Sequence, residues 1–241
     1  MTYVSALVLG GGGGIGAAVS RRLAADHAVA VGCRHGVERA RRLAEDLVAR
    51  GGVAEVVQSD ATTEEGVVAA FDAAERLGSL RVVVHCVGGW DYPRITELTE
   101  KSIDEAIALN LRSALLVLRE SARRVTDGGR VVLLSSAAAQ LAPARQSTYA
   151  AAKAGVEAAA RVAAKEVAAR GIAVNVVRPG ATDTERLREG TSPRAIEAMA
   201  GANAMRRLGT PDDIAGAVLM LCGEDSRWIT GVVVDATGGL T

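Results

Sequence analysis

The sequence predicts an α/β protein with a doubly wound parallel sheet of about seven strands and helices on both faces. Three observations predict it. Short apolar runs alternate with amphipathic stretches of helical period along nearly the whole chain. The runs are continuously apolar, the pattern of strands covered on both sides. The first run ends in a stretch of seven residues, six of them glycine, and a helix pattern starts there.

Residues 4–9 form the first run, bounded by Gly10. Residues 15–25 read as a helix with Arg21 and Arg22 on its wet side. A second strand at 28–33 precedes a charged amphipathic helix at 37–50, and the unit repeats as a strand at 53–58 and a helix at 64–76. A fourth strand at 81–86 leads through a loop into a long helix over 100–125. The fifth strand, 130–135, is followed by an Ala-rich helix at 149–170, and the sixth strand by residues 172–178. Residues 211–222 read as a helix and 231–235 as a last short strand. Right-handed crossovers join such units into one sheet. No low-complexity linker or charge run divides residues 1–241, so one domain is expected. Ligands of such sheets sit beyond the carboxyl ends of the strands, near the point where strand order reverses. The loops after Leu9, Cys33, Cys86, Ser135 and Arg178 then surround one cleft.

Composition narrows the function. Hydrophobic residues make up 49% of the 241 positions but aromatics only 2%, so the core must be built from Ala, Val and Leu. Lys plus Arg and Asp plus Glu number 28 each, giving zero formal charge and no long-range pull toward nucleic acid or an anionic membrane. Cys33, Cys86 and Cys222 are far apart and form no CxxC pair, so neither a disulfide framework nor a metal site is expected. The N-terminal stretch lacks a positive leader region, and no window reaches the ~18 apolar residues that cross a bilayer, so a cytoplasmic protein is expected.

The glycine stretch, Gly10-Gly11-Gly12-Gly13-Gly14-Ile15-Gly16, carries the first chemical signal. A strand–turn–helix junction needs positions that tolerate positive φ and a backbone without Cβ where a pyrophosphate approaches. Free N–H groups at the helix start supply the anion site. Placed after the first strand of a βαβ unit, this reads as a phosphate-binding Rossmann dinucleotide turn, a merely flexible turn being the competing reading. The second strand ends Val31-Gly32-Cys33-Arg34-His35, with no acid before Glu38 to take a ribose 2′-OH. Arg34 there, with no carboxylate expected beside it, fits a 2′-phosphate, favouring NADP(H) over NAD(H); an exposed strand-end arginine is the competing reading. Asp60, after the third strand, reads equally as an adenine contact or a turn cap.

Four residues carry the catalytic signal. Tyr149 and Lys153 lie at i and i+4 and share a helix face. A tyrosine of pKa ~10 exchanges protons poorly at neutral pH, and a nearby ammonium lowers that value. Ser136 lies just beyond the fifth strand, where its hydroxyl meets a substrate oxygen; its neighbour Ser135 points to the opposite face of the strand. Asn110 sits among apolar neighbours in the middle of the long helix, where a helix–helix hydrogen bond is the simple reading.

The order glycine turn, Asn110, Ser136, Tyr149, Lys153, Pro179-Gly180 resembles the classical short-chain dehydrogenase/reductase family from Val4 to Leu240. Further matching pieces are Asn175-Val176-Val177-Arg178-Pro179-Gly180, Gly209-Thr210-Pro211 with Asp213-Ile214-Ala215, and Ile229-Thr230-Gly231. Within the family the chain looks most like 3-oxoacyl-[acyl-carrier-protein] reductases and polyketide-type ketoreductases. The resemblance implies that Tyr149 is the general acid in reduction and that Lys153 lowers its pKa and holds the nicotinamide ribose. It implies that Ser136 polarises the carbonyl and that Asn110 holds a water in a relay with Lys153. Gly10, Gly14 and Gly16, flanking Ile15, would receive the cofactor phosphates, and Asp60 with the Ala61 backbone would meet the adenine. Pro179, Gly180, Thr182 and Thr184 would enclose the nicotinamide end. A homotetramer or homodimer is also implied.

Two departures stand out. Leu9 occupies the place of the family's threonine, and His85-Cys86-Val87-Gly88 replaces Asn-Asn-Ala-Gly. Gly88 keeps the position of close backbone approach, and the two changed regions are expected to touch. Gly89-Trp90-Asp91-Tyr92-Pro93 and residues 184–203 are the expected substrate walls, the former reading equally as a surface turn pinned by Pro93 and the latter as a mobile lid. Arg186, Arg188, Arg194, Arg206 and Arg207 read either as an anion-receiving cluster or as a solvated face. The expected function is NADPH-dependent reduction of a small-molecule or carrier-bound ketone, 3-oxoacyl thioesters included. An alcohol dehydrogenase of a small metabolite and a non-catalytic dinucleotide-binding scaffold are the alternatives.

Overall fold

A computed structural model describes residues 3–241; the first two residues of the stretch scanned for a leader lie outside it. Seven strands follow in chain order: β1 (Val4–Leu9), β2 (Ala28–Cys33), β3 (Ala54–Gln58), β4 (Ser79–His85), β5 (Arg130–Leu134), β6 (Ala173–Pro179) and β7 (Val233–Ala236). They pair in the order β3-β2-β1-β4-β5-β6-β7, every pair parallel. The chain therefore winds one way from β1 to β3 and the other from β4 to β7. The order reverses between β1 and β4, which opens the crevice where ligands of this fold class bind.

Successive strand residues point to opposite faces, and each face has its own core. Ala6 and Val8 of β1 pack with α1 (Gly14–Leu23), α2 (Val37–Ala49) and α10 (Pro211–Cys222). Leu7 and Leu9 pack with α3 (Glu64–Leu77), α5 (Ser113–Arg124) and α7 (Ser147–Val167) on the other side. The helix α4 (Glu100–Ile107) precedes α5, and short helices α6 (Ala138–Leu141), α8 (Glu185–Gly190) and α9 (Pro193–Ala202) lie in the loops beyond β5 and β6. As the composition requires, Ala, Val and Leu fill both cores; Phe71, fully buried on α3 beneath Arg124, is the one phenylalanine.

The long helix expected over 100–125 is interrupted. Residues 108–112 form a π-helical turn, so α4 and α5 are two segments of one rod. A π turn inserts an extra residue and frees backbone groups, and here it falls at Asn110. The segment 184–203, expected as a mobile lid, folds into α8 and α9. Thr184 caps α8 by accepting from the Leu187 amide, and Ser192 caps α9 by accepting from the Ala195 amide.

Several sequence motifs prove to be hinges of the scaffold. Thr210 and Asp213 form a reciprocal capping box at the start of α10, with Pro211 in the first turn where its missing N–H costs nothing. Asn175 donates from Nδ2 to the Ile229 carbonyl at 2.8 Å and accepts at Oδ1 from the Val232 amide at 3.2 Å, aligning β7 with β6. Arg178 of β6 forks onto Glu157 of α7, with 2.9 Å from each of two guanidinium nitrogens, and also reaches Asp235 of β7. Ser135 donates to the same Glu157 at 2.7 Å. Burial opposes ionisation of Glu157, but the bonds from Arg178 and Ser135 hold its carboxyl below the ordinary value.

Truncating one side of this largely buried pair leaves a guanidinium short of its main partner. Glu157→Ala is expected to lower stability by about 3 kcal/mol or more, read as a shift of the urea unfolding midpoint at pH 7.

Candidate active site

At the carboxyl ends of β1, β2, β4, β5 and β6 lies a cleft of about 1130 Å³. Every residue expected in the site lines it except Asn110, which stands directly behind. At its floor the glycine turn leaves β1. Gly10 and Gly14 have φ of +76° and +49°, and a Cβ on Gly16 would lie 2.1 Å from the Gly10 carbonyl oxygen. No other residue type fits that last position, and the Gly turn thus delivers the first amides of α1 to the cleft.

Arg34 stands at the rim where β2 ends, about half exposed, with one guanidinium nitrogen 3.5 Å from Asp60. The expectation that no carboxylate stands beside Arg34 is corrected here: β3 neighbours β2, so the acid after β3 arrives next to the base after β2. Against burial, which raises it, hydrogen bonds from Thr62 and the charge of Arg34 hold the Asp60 carboxyl below its ordinary value. One Asp60 oxygen accepts from the Thr62 amide and hydroxyl, so the residue is a turn cap as well as a cleft residue. Arg39 of α2 was missed by sequence reasoning. It donates to the Gly12 carbonyl at 2.9 Å and to Glu185 of α8 at 2.7 Å, bridging the glycine turn and the far wall. Nothing in its sequence context distinguishes it from the other arginines of that helix.

On the opposite wall α7 presents Tyr149 and Lys153. The Lys153 ammonium is buried, 5.9 Å from the Tyr149 ring centre. It donates to the Leu134 carbonyl at 2.9 Å and, at the limit of hydrogen-bond reach, to the Val87 carbonyl at 3.5 Å. Burial pushes its pKa down to about 8. Burial also pushes the Tyr149 phenol above its ordinary value, with the Ser136 hydroxyl and the Arg186 charge pulling the other way. The expected lowering of the Tyr149 pKa by Lys153 is thus not what this geometry gives, because loss of water around the phenol outweighs the charges near it. Ser136 accepts from the Ala138 amide at 3.2 Å, which fixes its hydroxyl toward the cleft while Ser135 turns away to Glu157.

Asn110 is buried at the π turn. Its Oδ1 accepts from the Gly89 amide at 3.0 Å, and its Nδ2 donates to the carbonyls of Gly89 at 2.9 Å and Ala106 at 3.0 Å. The helix–helix hydrogen bond of the simple reading is replaced by a clamp on the loop after β4. Both amide hydrogens are used within the protein. A Cβ on Gly88 would lie 2.9 Å from Lys153 Nζ and 3.1 Å from Asn110 Oδ1, so Gly88 lets the loop settle between the two.

The two departures from the family pattern do meet: Leu9 pairs with His85 across β1 and β4, and the Cys86 amide donates to the Leu9 carbonyl at 2.8 Å. Leu9 fills the core in place of a hydroxyl. His85 is fully buried and its Nε2 lies 3.0 Å from the Ser113 hydroxyl. Burial, aided by the charge of Lys153, pushes the imidazole down to about 3, so it is a neutral packing residue and not a proton carrier at pH 7. Cys33, Cys86 and Cys222 are free thiols.

At the substrate end, Trp90 lies with its ring centre 6.2 Å from that of Tyr149, and Tyr92 also lines the cleft, so the loop 89–93 is a wall rather than a surface turn. Arg188 and Arg207 are held in ion pairs with Asp183 and Asp213, and only Arg186 of the five arginines turns into the cleft. Among the described residues no group of three or more His, Cys, Asp or Glu is placed to hold a metal, and no helix is long and apolar enough to cross a membrane.

A family model described as enoyl-(acyl carrier protein) reductase matches residues 11–241. The chain belongs to the short-chain dehydrogenase/reductase family. An uncharacterized oxidoreductase of Methylorubrum extorquens is 34% identical, over 98% of this chain and 96% of its own length. A dehydrogenase/reductase from Sinorhizobium meliloti 1021 superposes with a TM-score of 0.94 at 34% identity, covering 100% of this chain and 96% of that one. The angucycline C-6 ketoreductase LanV, solved with bound NADP, superposes with a TM-score of 0.92 at 29% identity, covering 99% and 95%. This short-chain dehydrogenase/reductase is an NAD(P)-dependent oxidoreductase, which removes the scaffold alternative.

The neutral imidazole makes stability depend on pH. Its folded pKa, about 3, lies below the ~6.5 of an exposed histidine, so its contribution is complete above pH ~6.5 and is lost as the pH falls toward 3. The thermal midpoint of the wild type is expected to drop more between pH 7 and pH 5 than that of His85→Asn.

Proposed function

We propose that this protein is an NADPH-dependent reductase of ketones, with Tyr149 as the proton donor to the nascent alkoxide. The observation that supports it most is the meeting of Tyr149, Ser136 and Lys153 on one wall of a cleft whose floor is the glycine turn. The residues present fit the cofactor: a cradle that a Cβ at Gly16 would fill, the amide-bearing start of α1, and Arg34 at the far rim. Bound NADPH supplies a hydride to the carbonyl carbon.

The protein's part follows from its own groups. Ser136, fixed by the Ala138 amide, donates a hydrogen bond to the substrate oxygen. Tyr149, its pKa raised by burial, is protonated at neutral pH and gives its proton to that oxygen as charge develops. Lys153 is held by the Leu134 carbonyl, with the Val87 carbonyl at the limit of reach; it would hold the nicotinamide ribose, and its charge lies 5.9 Å from the Tyr149 ring centre. Asn110 acts by positioning, since its amide fixes Gly89 and with it the loop that carries Trp90. Arg34 would take the 2′-phosphate, exchanging its 3.5 Å contact with half-buried Asp60 for a doubly charged ligand. The ketoreductase relative with bound NADP supports the same cofactor here. Exposed Leu115 on α5 and Val162 on α7 support pairing of those helices with another copy of the chain.

Two substitutions test this reading. Tyr149→Phe removes only the hydroxyl and is expected to lower kcat for ketone reduction by ~10²-fold or more, while NADPH still quenches the protein's fluorescence. Arg34→Asp is expected to shift the ratio of kcat/KM for NADPH over NADH toward NADH by ~10-fold or more, a change of about 1.4 kcal/mol; an unchanged ratio would remove Arg34 from the 2′-phosphate site.

A further inference from the structure

We propose that Arg186 is the recognition group for an anionic substituent of the substrate, so that the preferred ketones carry a carboxylate or a comparable oxyanion; this rests on the reductase reading above. Three observations converge on the guanidinium. It lines the cleft, and its charge is felt by the Tyr149 phenol. It stacks on the indole of Trp90, 5.0 Å from the ring centre, and Trp90 in turn lies 6.2 Å from Tyr149. Among the described residues no carboxylate lies within 4.0 Å of it, whereas the neighbouring Arg188 and the cleft-mouth Arg39 are both paired.

The seat is built for this side chain. The Arg186 guanidinium lies close against the loop after β4, where a Cβ on Gly89 would be 2.6 Å from one of its nitrogens. Asn110 clamps that same Gly89 through both its amide and its carbonyl. The indole holds the planar cation by one face and leaves its N–H edges free, the geometry that takes a carboxylate through two parallel hydrogen bonds. Trp90 thus neighbours both the proton donor Tyr149 and the anion receptor Arg186. A ketone lying against the indole would place its carbonyl at Tyr149 and its charge at Arg186. Asp91 and Glu189, the acids on this part of the wall, are exposed and repel an anion that is not held at the guanidinium.

The test compares 4-acetylbenzoate with its neutral amide, 4-acetylbenzamide, at saturating NADPH. The full-length protein is expected to show at least a ~10-fold higher kcat/KM for the acid. Arg186→Met should bring the ratio close to one without a matching rise in the KM for NADPH, and Arg186→Lys should keep most of the preference. A second readout is independent of turnover. Trp228 is 97% exposed, and replacing it by Phe leaves Trp90 as the only tryptophan. 4-Acetylbenzoate should quench that fluorescence, with at least a ~10-fold weaker Kd in the Arg186→Met background. Reduction of neither ketone, with Arg186-dependent quenching intact, would sink the reductase reading and leave the anion site standing. Equal kcat/KM for acid and amide would overturn the anion site, as would equal losses on both in Arg186→Met, a rise in the NADPH KM, or no quenching by the acid.

Discussion

The buried ammonium of Lys153 is the constraint around which the site is organised. A charge without water must be met by oxygens, and here the Leu134 carbonyl at the end of β5 meets it, with the Val87 carbonyl beyond β4 at the edge of reach. That requirement draws the two strand ends and α7 to one point. It also bears on what else fits nearby: Gly88 because a Cβ would strike the ammonium, and a His85 kept neutral by its burial, with the Lys153 charge adding to the effect. Tyr149, one turn earlier on the same helix, is carried into the cleft with it.

The second layer of order comes from hydrogen bonds that hold the loops still. Asn110 uses a π turn to aim its amide at Gly89, and Glu157 holds Ser135 while Ser136 faces the cleft. Arg178 ties the same Glu157 to β7, so α7 is fixed at Lys153 and again one turn later. Functional side chains are therefore placed by groups that never touch a ligand. The cleft's two halves differ in kind. The half beneath β1, β2 and β3 is backbone and arginine, suited to phosphates. The half over β4, β5 and β6 carries a phenol, a hydroxyl and an indole, suited to a carbonyl and the body that bears it.

Much of this was legible in the chain. The fold could be read because buried parallel strands leave unbroken apolar runs, and the seven runs are the seven strands within one or two residues. The glycine turn was legible because sterics alone demand glycine where Gly16 approaches the Gly10 carbonyl. Tyr149 and Lys153 were legible because a helix turns i and i+4 to one side. The π turn at Asn110 was not, since α and π turns share one pattern over so few residues. Helices α8 and α9 within the expected mobile lid were not legible, because the glycines and charges of this stretch mask the caps supplied by Thr184 and Ser192.

The sequence by itself determined the strand and helix inventory, the phosphate-binding turn and the tyrosine–lysine pair, all features set by local sterics and short periodicity. Tertiary structure alone decided how those pieces are charged. Asp60 comes to stand beside Arg34 because β3 pairs with β2, and Arg39 reaches over the glycine turn to Glu185. Burial raises the phenol of Tyr149 and lowers the ammonium of Lys153. Arg186 finds an indole and not a carboxylate. Electrostatic energies depend on distance and on the water removed around each group, and neither exists until segments remote in sequence are packed together.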